Sequence, residues 1–289
     1  MSHDEQLAWE ERAGKPAAAA AGGTALLAIV AGLYLPLALS DDPDGADELL
    51  RAADRESTDF IIAGVLQSLG LLLMIPALLF LYRATRYRRQ ELMQAASILA
   101  VLGAATLAAT TVLRQFELLD IADSFFPEQA QGARDLEQKA EDYIEDELSS
   151  GLQGLGLGGS VALAFAMVMI ALNAMRAGLL SRFMGILGIF VGIVLVIPLG
   201  VQILQLFWFA ALGLLFLNRW PGGRGPAWQT GEAIPWPSAM EQREEIERRR
   251  AEREGVIEPA GPEPDAEAEA EGEPGAARPA SRKRRKKKR

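Results

Sequence analysis

Apolar and charged residues are segregated along this chain into long alternating blocks. Residues 17–40, 60–82, 94–113 and 151–175 contain no Asp, Glu, Lys or Arg. A helix needs about 20 mostly apolar residues to cross roughly 30 Å of hydrocarbon. In lipid a helix satisfies its own backbone polar groups, so these blocks predict membrane-spanning helices at about 17–40, 60–82, 94–113 and 151–175. In water the same surface would aggregate.

The last apolar block, residues 183–217, is 35 uncharged residues long. As one helix it would measure about 52 Å, too long for the bilayer core. Pro198, Leu199 and Gly200 lie near its middle, where proline removes a backbone donor and glycine frees the chain to reverse. The block therefore predicts a hairpin of two helices, about 179–197 and 201–218. Both are short, so the alternative is a re-entrant hairpin that enters and leaves on one side. Arg182 would snorkel to the inner surface.

The intervening segments differ in charge. Residues 83–93 carry Arg83, Arg86, Arg88 and Arg89 against Glu91 alone, and residues 176–182 carry two arginines and no acid. Residues 41–59 hold eight acids against Arg51 and Arg55, and residues 114–150 hold eleven acids against three bases. Basic loops stay in the cytoplasm, so six helices place both termini inside and the loops 41–59 and 114–150 outside. Tyr34, Tyr82, Trp208 and Trp220 fall near predicted helix ends, where interfacial aromatics gather. Residues 1–16 form a cytoplasmic segment with four acids and two bases, including His3 at a frayed terminus. That charge has the wrong sign for a signal peptide, so the first helix is expected to be retained.

Within the external loops, residues 44–58 predict a short acidic helix. Phe116, Leu118, Leu119 and Ile121 have helical spacing up to a break at Phe126-Pro127. Leu136, Ala140, Tyr143, Ile144 and Leu148 form an apolar stripe along residues 133–148. Both pieces read as a cap on the bundle mouth; the alternative is a surface for a partner or a cation. Asp41, Asp42 and Asp44 do not make an EF-hand, because Arg51 would occupy the closing Glu position.

Beyond the bundle, residues 219–239 form a juxtamembrane segment in which Trp220, Trp228 and Trp236 recur every eight residues. They are expected to dock on the membrane or on the bundle's inner face. Residues 240–257 predict a charged helix with Glu244–Arg248 and Glu245–Arg249 pairs. Residues 258–289 are Pro-, Ala- and Glu-rich and end in Arg282, Lys283, Arg284, Arg285, Lys286, Lys287, Lys288 and Arg289. Such a tail cannot bury a core and is expected to be disordered. Its basic run suits anionic lipid or a cytoplasmic partner, each residue contributing on the order of 1 kcal/mol near an anionic leaflet. Nucleic acid fits less well, because no aromatics are interleaved.

Composition narrows the chemistry. Of the 289 residues, half are apolar and 23% charged, with net charge −9, no cysteine and one histidine. Disulfides, thiolate metal sites and histidine triads are excluded. No motif predicts a metal, a cofactor or an enzyme: GLGLGG at 154–159 lacks the GK[ST] of a phosphate loop. The helices carry no charge away from their ends, which argues against ion-coupled pumping. Their few polar side chains are Gln67, Ser68, Ser97, Thr106, Thr110, Thr111, Gln153, Ser160, Asn173, Gln202 and Gln205. Gln67, Ser68, Gln202 and Gln205 are the candidates for lining a cavity; the alternative is interhelical hydrogen bonds. Gly154/Gly158 and Gly188/Gly192 have the spacing of close helix contacts.

The stretch LLSRFMGILG at 179–188, followed by the apolar hairpin, resembles the late segment of a bacterial domain-of-unknown-function family of six-helix integral membrane proteins. The Arg-Trp-Pro-Gly-Gly and Ile-Pro-Trp-Pro-Ser runs between 218 and 238 are similar to uncharacterised actinobacterial multi-pass membrane proteins. The resemblance implies a bacterial inner membrane and brings no activity or site residue.

The sequence thus predicts an all-α membrane protein with six transmembrane helices, both termini cytoplasmic and a disordered C-terminal tail. Its expected role is a non-enzymatic scaffold or adaptor whose tail binds lipid or a partner. The alternative is a carrier or pathway for a neutral or lipophilic solute.

Overall fold

The computed structural model describes residues 2–40, 43–124, 133–197, 202–221, 223–236, 243 and 246–251. The chain divides into two units, residues 1–236 and 237–289. In the second, residues 246–251 are helical. The predicted turn at Pro198-Leu199-Gly200, the break at Phe126-Pro127, the pairs from Glu244 and Glu245, and the basic run 282–289 lie outside the described residues.

The first unit is helical throughout its ordered elements: α1 (His3–Ala38), α2 (Ala46–Arg55), α3 (Ser57–Arg88), α4 (Ala95–Ser124), α5 (Ala133–Glu147), α6 (Ser150–Arg176), α7 (Arg182–Val194), α8 (Gln202–Phe216) and α9 (Ala227–Thr230). Four of these, α1, α3, α4 and α6, are long and apolar enough to cross a membrane, and α7 and α8 are shorter apolar helices. Large apolar side chains stand exposed around them, among them Leu37 at 81%, Ile203 at 72% and Ile186 at 60%. A water-soluble monomer does not present so much contiguous apolar surface; hydrocarbon is its solvent.

Local chemistry sets the helix ends. Ser2 and Glu5 form a reciprocal capping box, so α1 begins at His3. His3 is therefore not frayed: it starts a helix that runs through Pro16 into the apolar block. Ser149 and Ser181 cap α6 and α7 by accepting from the backbone N–H groups of Leu152 and Met184. Gly178, at φ 77°, ends α6, with Leu179 N–H donating to Ala174 O and Gly178 N–H to Met175 O. This is the left-handed Schellman closure. Asn218, at φ 56°, closes α8 in the same way, Arg219 N–H donating to Leu214 O.

The six apolar helices form a ring. α8 packs on α1, α1 on α3, α3 on α4, α4 on α6 and α6 on α7; a slighter α7–α8 contact completes the circuit, and α3 also touches α6 across it. The tightest seam is α4–α6. A methyl on Gly103 would sit 2.6 Å from Leu163 N and 2.8 Å from Gly159 O. The predicted pair Gly154/Gly158 does not make this contact, since neither has a neighbour within 4 Å. Gly159 lies on the face turned to α4, and Gly154 and Gly158 lie off it. Gly188 and Gly192 do pack closely, against the Trp208 ring and Ala164 O. Trp208 is not interfacial as expected: it is fully buried and its indole N–H donates to Met184 O at 3.0 Å. A ring of that size, mid-way along α8, fills the gap that Gly188 leaves.

At the acidic end, α2, α5 and the last turns of α4 enclose a second small core of Leu50, Ala53, Phe60, Ile121, Ala122 and Ala140. α4 runs on through Arg114 to Ser124, so the helical spacing at 116–121 continues a bundle helix.

Candidate functional site

A cavity of about 490 Å³ lies inside the ring, and each of the six apolar helices supplies a wall residue. Along α1 its lining runs from Thr24 to Leu35, about 17 Å of helix. Most of the wall is Ala, Leu, Val and Gly. The polar exceptions are Thr24, Gln67, Thr111, Gln115, Ser160 and Gln205. No ionisable side chain lines it among the described residues.

The hydroxyls are committed as donors. Thr24 donates to Ala20 O, Thr111 to Leu107 O and Ser160 to Gly156 O, each within its own helix. They therefore face the cavity as acceptors. The carboxamides differ. Gln115 Oε1 is buried and accepts no hydrogen bond. Gln205 Nε2 meets only the Met74 thioether at 3.7 Å, a weak acceptor. Gly64 makes room for Gln115, since a methyl there would come within 2.5 Å of its Cγ. Gln115 thus stands on the wall with its carbonyl oxygen buried and, among the described residues, unpartnered, an uncommon state for a buried polar atom.

Of the four candidates from sequence, Gln67 and Gln205 stand on this wall. Ser68 lies on another face of α3, buried, and donates across to Ala108 O at 2.8 Å. The Gln202 side chain lies outside the described residues. Sequence reasoning missed Thr24 and Gln115. Gln115 follows Arg114, which ended the uncharged window; the helical spacing beyond it was the available signal.

The arginine-rich end of the ring is closed by a clasp. Arg88 forms a two-pronged ion pair with Glu10, Nη1–Oε1 at 2.5 Å and Nη2–Oε2 at 3.0 Å, with side chains 0% and 3% exposed. Gln6 Nε2 donates to Glu10, and Arg88 also donates to Ala227 O. The guanidinium groups of Arg88 and Arg224 both pack on the Trp228 ring, 5.7 and 5.1 Å from its centroid, and its indole N–H donates to Leu179 O. Phe80, Phe216 and Trp9 complete the aromatic cluster. Burial lowers the Arg224 pKa below its ordinary value, opposed by the carboxylates of Glu10 and Glu11. Trp228, on α9, thus docks on the arginine-rich end of the bundle. No group of three or more His, Asp or Glu residues placed to hold a metal occurs among the described residues.

Fold and cavity together define an all-helical integral membrane protein with an uncharged, sparsely polar chamber inside its helix ring. Over residues 20–218 the chain matches the family described as a domain of unknown function, DUF4386, and it belongs to that family. No curated protein and no solved structure matches it.

Proposed function

We propose that this protein is a six-span, non-enzymatic membrane protein that binds, and passes across or along the bilayer, a small neutral molecule carrying hydrogen-bond donors. The observation that carries this reading is a cavity walled by all six apolar helices and lined, among the described residues, by hydroxyls and carboxamides with no charged group. A charged solute would meet no counter-charge there, and an uncompensated charge in such a site is expensive. Hydroxyls without an adjacent base support binding rather than nucleophilic catalysis. A bacterial inner membrane with both termini cytoplasmic fits the charge pattern: Arg83, Arg86, Arg88, Arg89, Arg176 and Arg182 gather at one end, and the acids of α2 and α5 at the other.

The absence of native cysteine makes single-cysteine accessibility a clean test. Cysteines at Gln67, Gln115 and Gln205 should react with a small neutral maleimide, and cysteines at the buried Ala100 and the outward-facing Leu102 should not. Equal silence at all five positions would refute a hydrated chamber. A cysteine at Asp44 should react with an impermeant reagent from outside and one at Gln229 should not; the reverse would overturn the orientation.

A second reading, a scaffold or adaptor, is favoured by the eight consecutive basic residues 282–289. It requires that replacing them with Gln abolish binding of the chain to anionic vesicles at low salt.

A further inference from the structure

A second cavity, an open cleft of about 1040 Å³, lies at the arginine-rich end. Its walls are His3, Gln6 and Trp9 of α1, the end of α3, and residues 231–233. On α3, Arg83, Arg86 and Tyr87 share one face at i, i+3 and i+4 and line it, and Gln90 joins them from the turn just beyond the helix. We infer that this cleft holds a phosphate group, carried either on a phospholipid headgroup or on a small soluble ester, with Arg83 and Arg86 as its ligands.

The arginines of the cleft are not equivalent. Arg88 is neutralised by Glu10. Arg83 makes no ion pair or hydrogen bond among the described residues. Arg86 donates to Tyr82 Oη at 2.5 Å and stacks over that ring at 5.9 Å, which fixes its direction while leaving four donors free. Two guanidinium groups therefore keep free donors, and Glu232 is the one acid on the wall among the described residues. A guanidinium fork matches phosphate oxygens in geometry as well as charge. Position favours the same ligand. Arg83 directly follows Tyr82, the last residue of an apolar run, and so stands at the depth where headgroup phosphates lie. Trp9 and Tyr87 supply the amphipathic walls usual at that depth. The site shares no lining residue with the cavity between the helices, and it does not rest on the proposed function.

The test uses the full chain in a neutral detergent, titrated with dioctanoyl-phosphatidylglycerol, the phosphate-free lipid dioctanoylglycerol and glycerol 3-phosphate. Each arginine is expected to contribute about fivefold, so R83Q/R86Q should weaken phosphatidylglycerol binding by ~25-fold and leave binding of the phosphate-free dioctanoylglycerol unchanged. E232Q should tighten it by about fivefold. R83K/R86K should retain most of the binding, and circular dichroism should match the wild type in each variant. A parallel loss of glycerol 3-phosphate binding assigns the site to phosphate esters generally; glycerol 3-phosphate that never binds assigns it to lipid. Phosphatidylglycerol affinity within twofold of wild type in R83Q/R86Q would overturn the site. So would equal losses for both lipids, or an E232Q variant that binds no tighter.

Discussion

Arg88 and Glu10 are 78 residues apart in sequence and form a two-pronged ion pair from which water is excluded, joining the start of α1 to the end of α3. Removing one partner of such a pair strands a buried charge, at a cost of roughly 3–5 kcal/mol. R88A should therefore be destabilised by about that amount in a detergent unfolding titration. E10L/R88M, which removes both charges and keeps volume, should recover most of the loss. A double variant as unstable as R88A would show that Arg88 acts through Ala227 O and Trp228 and not through Glu10.

Gly178 and Ile234 set the path of the chain after α9. A methyl at Gly178 would lie 1.8 Å from Ile234 O, and the φ of 77° disfavours any side chain. G178A should release residues 232–236 from the bundle, read as faster amide hydrogen exchange there while α4 and α6 keep their protection.

The α4–α6 seam separates glycines that matter from glycines that do not. G103A forces backbone atoms apart and should cost about 1–3 kcal/mol. G158A enters open space and should cost less than ~0.5 kcal/mol. The two variants, compared by thermal unfolding in the same micelle, should rank in that order.

The orphan carbonyl of Gln115 predicts opposed effects on stability and binding. Q115L removes a buried acceptor without a partner and should hold or raise stability, by up to about 1–3 kcal/mol. It should also weaken whatever neutral ligand co-purifies with the chain, by about tenfold, measured by native mass spectrometry. G64A, which pushes Gln115 aside, should reproduce the binding loss.

The all-helical class and the apolar helices were legible because hydrocarbon imposes a length and a polarity that residue type alone reports. Gln67 and Gln205 were legible as rare polar positions in those helices. What was not legible depended on which face a residue presents. Ser68 adjoins Gln67 but points to Ala108, and Gly159 adjoins Gly158 but alone meets α4. Gln115 was hidden by Arg114, since a charge ends a hydropathy window without ending a helix. The clasp was hidden for a different reason: Glu10, Arg88 and Trp228 read separately as part of a cytoplasmic segment, a topological signal and a juxtamembrane aromatic expected on the membrane or on the bundle. Only long-range packing relates them.

The clasp also orders the chain's biogenesis. Ribosomes deliver this polypeptide to the membrane from its amino end, and α1 and α3 enter before α8 and α9 exist. Glu10 and Arg88 can find each other early, but Leu179 O, Ala227 O and the ring of Trp228 arrive only with the last helices. Until then the half-made protein carries an ion pair without its aromatic lid and a helix ring without its closing member. Assembly of the arginine-rich end is thus a terminal event of synthesis, and a truncation before residue 228 yields inserted helices with that end left open.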